Sequence, residues 1–232
     1  MSLTAPDDPF SPWGLTHWLP IALLLIGIAV LICAARSGRK ASMRQRVVLA
    51  WLILLLETAS HALGLLPSTF DPAHAFPFHL CDLAALAGII ALGTGARRAA
   101  GLLYFWGLTL APQAVLTPAL VFDFPHPAYW LFWGSHLLVI WAAVLMTWLT
   151  AFRPDWRSYA VTLAATVGWC VVMLGFNAAA GTNYLFVNAK PETASLLDLM
   201  GPWPWYLSVE LLIVAGLWAA MTGPWTRLGA SR

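Results

Sequence analysis

Seven stretches of this chain are long and apolar enough to cross a bilayer, and only short polar segments separate them. A spanning helix needs about 20 mostly apolar residues. The runs cover residues 17–35, 47–66, 78–95, 99–119, 128–152, 158–180 and 203–222. In hydrocarbon every backbone polar group must be satisfied within the protein, so runs of this kind form helices. The expected fold is all-α: a polytopic membrane protein built as a bundle of seven transmembrane helices. The third run is short and begins with His79 and Asp82, which sets it apart from the other six. No internal repeat is evident, and no linker is long enough to separate domains. The expected division is an extracytoplasmic N-terminal segment, 1–16, a single transmembrane domain, 17–222, and a cytoplasmic tail, 223–232.

Composition leaves little alternative. Charged residues make up 9% of the chain and hydrophobic ones 60%, whereas soluble domains carry about 25% charged residues. Lipid is therefore the expected solvent and the bilayer the expected partner. A net charge of +2 without a basic, aromatic-interleaved patch argues against nucleic acid. The first run has no basic residues before it, only Asp7 and Asp8, so it reads as a retained helix and not a secretory signal. Cys33, Cys81 and Cys170 lie far apart with no CxxC, which supports neither a disulfide framework nor a zinc ribbon.

The loops alternate in charge. Arg36, Arg39, Lys40, Arg44 and Arg46 lie between runs one and two, Arg97 and Arg98 between three and four, Arg153 and Arg157 between five and six, and Arg227 and Arg232 in the tail. The other side keeps only Lys190. Basic loops favour the cytoplasm, so the N-terminus is expected outside and the C-terminus inside. Trp13, Trp18, Trp130, Trp133, Trp203, Trp205 and Tyr206 would then form an aromatic belt at the outer interface.

The same topology sorts polar residues by depth. Glu57, His61, Cys81, His136 and Glu210 fall in the outer half of their runs, with Gln113 and Asn177 near outer ends. An intramembrane charge costs roughly 2.5–3.5 kcal/mol, so these groups are expected to face one another. Glu57 and His61 share a helix face at i,i+4, and His79 and Asp82 share one at i,i+3. Cys81 is expected to point away from Asp82, toward a base on another helix, and His136 is the best candidate. Gly134 and Ser135 beside it permit close helix approach. His17 reads as interfacial, and His74 and His126 as solvated loop residues.

The stretch Phe76–Asp82 concentrates the chemistry: a thiol, an imidazole and a carboxylate at a boundary between water and hydrocarbon. A thiol needs a base or positive neighbour to act as a nucleophile. The leading reading is a lipid acyltransferase or acyl-ester hydrolase near the outer leaflet, with Cys81 as nucleophile and His136 as base, acting on a phospholipid or other acyl lipid. Asn177, Asn183 or Gln113 would donate to the developing oxyanion, while His79 and Asp82 orient the site and Glu57, His61 and Glu210 complete the polar layer. This reading needs no cofactor or metal. Two alternatives stand beside it. One is a metal-dependent membrane hydrolase using Glu57, His61, His79, Asp82 and His136, although no H-E-x-x-H signature is present. The other is a transporter or binding protein whose polar layer holds its substrate.

Several segments, in order, resemble the YwaF-like bacterial integral membrane proteins. They are Phe-His-Leu-Cys-Asp at 78–82, Gln-Ala-Val-Leu-Thr-Pro at 113–118, Ser135-His136, Asn177, Gly-Thr-Asn-Tyr at 181–184, Pro191, and Gly-Pro-Trp-Pro-Trp-Tyr at 201–206. The resemblance spans roughly residues 45–215. That family is similar to eukaryotic transmembrane protein 164, an acyltransferase of ether phospholipids, and more distantly to androgen-induced hydrolases of branched fatty-acid esters. The resemblance implies Cys81 as nucleophile, His136 as base and a bacterial inner membrane as location. The hydrolases carry threonine at the nucleophile, so Cys81 implies a thioester-like acyl intermediate.

The charge alternation makes a direct prediction. With Cys33, Cys81 and Cys170 replaced by serine, a cysteine at Asp71 should react with an impermeant thiol reagent on intact cells, and one at Arg98 should not. The reverse labelling pattern would overturn the orientation.

Overall fold

The computed structural model describes residues 9–67, 70–72, 75–118, 120–191 and 196–230, with only the helical backbone for 227–230. His74, Asp7, Asp8 and Arg232 lie outside the described residues. Seven α-helices follow one another: α1 (Leu15–Arg36), α2 (Met43–Gly64), α3 (Leu80–Thr94), α4 (Arg97–Leu116), α5 (Pro127–Trp148), α6 (Trp156–Ala180) and α7 (Trp205–Ala230). Two short 3-10 turns, Tyr184–Phe186 and Leu196–Met200, lie between α6 and α7. Among the described residues there is no strand, only an isolated bridge of Pro9 with Phe122. Six helices are long and apolar enough to cross a membrane; α3, at 15 residues, is shorter.

Local signals set the boundaries. Ser42 and Gln45 form a capping box at the start of α2, Asp155 caps α6 through Ser158, and Pro127 occupies the first turn of α5. Gly95 and Gly181 end α3 and α6 in the left-handed conformation that glycine adopts without penalty. Two boundaries differ from expectation. Thr117 leaves helical geometry, so α4 stops at Leu116, before Pro118. The helix α7 runs through Pro224 to Ala230 and takes up most of the expected tail.

The core lies on α4 and α5, whose faces are more than half buried, while α1, α2, α6 and α7 bury less than a fifth of theirs. The outer helices thus present their apolar surface to lipid. The helix α3 sits between α2, α4 and α5. Its buried residues are Ala84, Ala85, Ala87, Gly88, Ala91 and Leu92, and all but Leu92 are small residues that let neighbouring backbones approach.

Tryptophan N–H groups tie the helices together. Trp141 donates to the Leu24 carbonyl, joining α5 to α1 at 3.1 Å. Trp106 donates to Thr166 (α4 to α6, 2.9 Å), and Trp218 to Thr109 (α7 to α4, 3.1 Å). The aromatic belt needs correcting accordingly. Trp13, Trp18, Trp130, Trp203 and Trp205 are exposed, but Trp133 and Tyr206 are buried among helices. His17 is not interfacial either. It is fully buried, accepting from the Trp13 N–H at 2.9 Å and donating through Nε2 to the Val115 carbonyl of α4 at 2.9 Å.

The loops segregate to two ends. At one, Phe10 bonds Val121, Thr16 bonds Asp123, and Tyr184 bonds Pro72. At the other, Ala41 bonds Leu149, Arg46 reaches the Ala91 carbonyl near the end of α3, and Arg97 pairs with Asp155. Burial opposes the ionised form of Asp155, but hydrogen bonds from Ser158 and Arg97 outweigh it and hold the carboxyl below its usual range.

Gly27 of α1 lies directly under the Trp141 ring, so a Cβ there would overlap the indole. Gly27→Ala is expected to break the Trp141–Leu24 bond and destabilise the protein by about 1–3 kcal/mol, the usual cost of overpacking. Thermal unfolding in detergent measures this; an unchanged transition would mean that α1 does not pack there.

Candidate functional site

A non-helical segment leads into α3 and positions its first turn. Pro77 cannot donate a backbone hydrogen bond, and several other groups among the described residues of the segment find partners within the protein. The Ala75 N–H bonds Asp71, the Phe76 N–H bonds the Tyr184 hydroxyl at 3.1 Å, and that hydroxyl donates to the Pro72 carbonyl at 2.7 Å. Trp169 of α6 donates to the Phe78 carbonyl at 2.9 Å, and the Phe78 ring packs against Trp169, Phe176 and Tyr184. Tyr184 is itself held by Asn177, whose amide oxygen accepts from the Tyr184 N–H at 2.9 Å.

The helix then opens on a self-satisfied first turn. The His79 N–H donates to Asp82 Oδ2 at 2.8 Å, which leaves Oδ1 facing the bundle. His61 Nε2 of α2 lies 3.8 Å from Asp82 Oδ1 and 3.7 Å from Glu57 Oε2. The Ser135 hydroxyl of α5 donates to Glu57 Oε1. Gly134 makes this possible, because a Cβ there would lie 2.8 Å from a Leu56 methyl. Three helices thus converge on one polar cluster, ~10 Å from the end of α2 at Glu57 and ~12 Å from the start of α5 at Ser135.

Cys81 belongs to this cluster, although its orientation differs from expectation. The half-buried thiol turns onto Asp82, donating to Oδ1 at 3.7 Å. His136 follows Ser135 on α5. Its Nδ1 lies 2.8 Å from the Phe132 carbonyl, which can only accept, so Nδ1 carries a proton and Nε2 is the ring position left for acid–base chemistry. Glu57, His61 and Asp82 each offer one ligand atom, all within 4.8 Å of one another, and form the metal-competent set. His79 is not part of it, since its ring leans on Tyr184 and Phe186.

The remaining expected residues lie elsewhere. Asn177 is buried and fully engaged, donating to the Tyr184 carbonyl and Asn188 while accepting from Thr182 and Tyr184. Asn183 donates to Ala189 and accepts from the Asn188 and Ala189 N–H groups. Both organise the loop after α6. Gln113 is exposed on the last turn of α4. Glu210 is half-buried on α7, with Cys170 of α6 and Tyr206 within range of its charge. His126 caps α5 and stacks on Phe122.

Two features of the site went unread in the sequence. Tyr184 is a hub for the loop before α3, a role visible only once the loop after α6 folds back. An apolar groove of about 630 Å³ runs along the seam of α2 and α5, lined by Ala59, Ala62, Leu66, Pro127, Trp130 and Leu131. Leu131 stands one helical turn from Ser135 on α5, although no lining residue of the groove is itself a member of the polar cluster.

The model of the TMEM164 family matches residues 12–222. The chain belongs to the TMEM164 family. The match extends well beyond the motif-bearing stretch, taking in α1 and α7, so the helices around the site are part of the family architecture. Family membership and the six long apolar helices together identify a multi-pass membrane protein. No curated protein and no solved structure matches the chain.

The Glu57–Ser135 contact predicts a difference between two substitutions. Glu57→Gln keeps an oxygen acceptor for Ser135, whereas Glu57→Leu strands Ser135 and removes a neighbour of His61. The Leu variant should be less stable than the Gln variant by about 1–3 kcal/mol, the cost of an unsatisfied buried polar group. Equal unfolding transitions in detergent would show that Glu57 has no structural partner.

Proposed function

We propose that the protein is a membrane-embedded enzyme that transfers or hydrolyses lipid acyl esters through a cysteine nucleophile. The observation that carries this reading is a half-buried thiol, Cys81, inside a polar cluster drawn from three helices, with an apolar groove on the same α2–α5 pair of helices. The groove suits an acyl chain, and the cluster suits the ester at the end of that chain. Membership of the TMEM164 family is consistent with acyltransferase-related chemistry, and the likeness of residues 78–82 to YwaF-like proteins points the same way. In this reading α3 is a seventh crossing, the N-terminus is outside and the C-terminus cytoplasmic. The gathering of Arg46, Arg97 and Asp155 at the end where α3 stops supports that topology. A bacterial inner membrane is the proposed location.

The chemistry runs in two halves. His136 Nε2 takes the Cys81 proton, and the thiolate attacks the ester carbonyl carbon. The carbon–oxygen bond breaks, and the departing alkoxide takes the proton back from His136. The acyl-cysteine thioester then passes its acyl group to an alcohol, a lysolipid or water: His136 takes the proton from the attacking oxygen, the carbon–sulfur bond breaks, and the departing Cys81 thiolate takes that proton back from His136. The thiol must first leave Asp82 Oδ1, which holds its proton in the structure at 3.7 Å. Placement of nucleophile and ester at one depth supplies the entropic part of catalysis.

Purified protein incubated with a phospholipid should gain an acyl mass on the peptide containing Cys81. Cys81→Ala should abolish the adduct, and His136→Ala should slow its formation by about 10²–10⁴-fold, the usual worth of a general base. Lipid turnover that persists undiminished in Cys81→Ala would exclude the thioester mechanism.

A further inference from the structure

We propose that Glu57, His61 and Asp82 bind one divalent cation of the zinc class, a site that exists whether or not Cys81 carries an acyl group.

Geometry is the first argument. His61 Nε2 stands 3.7 Å from Glu57 Oε2 and 3.8 Å from Asp82 Oδ1. Those separations exceed the 2.7–3.2 Å typical of hydrogen bonds to nitrogen. They are close to the spacing of ligands around a common ion. Histidine nitrogen and carboxylate oxygen bind zinc at about 2.0–2.2 Å, which puts tetrahedral ligands about 3.4 Å apart. Small rotations of three side chains close the remaining gap. All three ligand atoms already lie within 4.8 Å of one another.

The second argument is an unmet need. His61 Nε2 itself is out of reach of solvent, on a ring that is 23% exposed, and it stands at ion-pair distance from both carboxylates without a close hydrogen bond to either. A buried polar atom of this kind calls for an occupant. The Ala75 backbone is a further polar neighbour of the ring, and a ligating histidine characteristically leans its other nitrogen on such a group.

The third argument is charge. Glu57 and Asp82 are two carboxylates within the bilayer region, and among the described residues no Lys or Arg pairs with either. One divalent cation with neutral His61 leaves the cluster uncharged, which removes the cost of isolated charge in hydrocarbon. Ser135 then acts behind the ligands, holding Glu57 through Oε1 while Oε2 faces the ion. Three protein ligands leave one coordination position open, the arrangement of zinc sites that bind an exchangeable group. The rival occupant is a proton: an imidazolium between the carboxylates with one of them protonated.

Metal-stripped full-length protein in detergent, titrated with Zn²⁺ and passed over a desalting column, should retain about one Zn²⁺ per chain. His61→Ala and Asp82→Asn should each weaken binding by at least about tenfold. Their folding is checked by elution profile and helical circular dichroism. The zinc-loaded wild type also tests the site without any variant. Its X-ray absorption should give a nitrogen and oxygen shell at about 2.0–2.2 Å that includes one imidazole and no sulfur. Retention of no zinc would overturn the site in favour of the proton. Sulfur in the shell would place the ion on Cys81 and overturn the three-residue assignment, as would unweakened binding by folded variants. Loss of Cys81 acylation with zinc still bound would refute the acyl mechanism and leave the site standing.

Discussion

Backbone polar groups that enter hydrocarbon must be satisfied by the protein, and the segment before α3 is where this chain meets that demand. Residues 71–72 and 75–79 are not helical, so they cannot satisfy themselves as the long helices do. Tyr184 answers two of their groups with one hydroxyl, and Trp169 answers a third. The loop after α6 therefore has to fold back on the loop before α3. Asn177 fixes that fold by holding both ends of the turn around Gly181, through Thr182 and the backbone of Tyr184. The position of Cys81 and Asp82 follows from these bonds, because α3 begins where the segment ends.

Inside the bundle the same rule acts on side chains. Glu57, His61 and Asp82 would be expensive on any lipid-facing surface. They are tolerated because α2, α3 and α5 approach closely enough to share them. Small residues supply the approach: Gly134 against Leu56 on one seam, and the alanine-rich face of α3 on another. Packing and polarity are thus one problem here. A bulky side chain at Gly134 would part α5 from α2 and leave Ser135 and Glu57 unsatisfied in the same stroke.

Much of the fold was legible because lipid imposes a simple length rule. All seven expected runs correspond to helices, and the structure adds the local devices that end them: Ser42 with Gln45, Pro127, Gly95 and Gly181. Which faces are buried was less legible. The helix α1 is as apolar as any core helix, yet most of it faces outward, while α4 and α5 carry the interior. In a bilayer hydrophobicity does not distinguish core from surface, since both are apolar. Trp133 and Tyr206 were misplaced for that reason: an aromatic near a helix end suits an interface and a protein interior equally well.

The candidate site was legible as a set of residues and not as a set of partners. Depth grouped Glu57, His61, Cys81, His136 and Glu210, with Gln113 and Asn177 near the outer ends. Glu57, His61 and Cys81 gather around Asp82, whereas Gln113 is exposed and Asn177 serves the loop after α6. Helical phase suggested that Cys81 turns away from Asp82, but phase describes where Cβ atoms point. Asp82 occupies the third position of α3, where a carboxylate folds back to accept the N-terminal N–H of His79 through Oδ2. That fold-back carries Oδ1 across the first turn, within reach of the Cys81 thiol and of His61 from α2. Asp82 is therefore at once the cap of its helix, the acceptor of the thiol proton and a neighbour of the α2 histidine. Three roles fall on one carboxylate because the helix is short and starts inside the polar layer; a longer α3 would have placed its capping turn in the loop and its chemistry elsewhere.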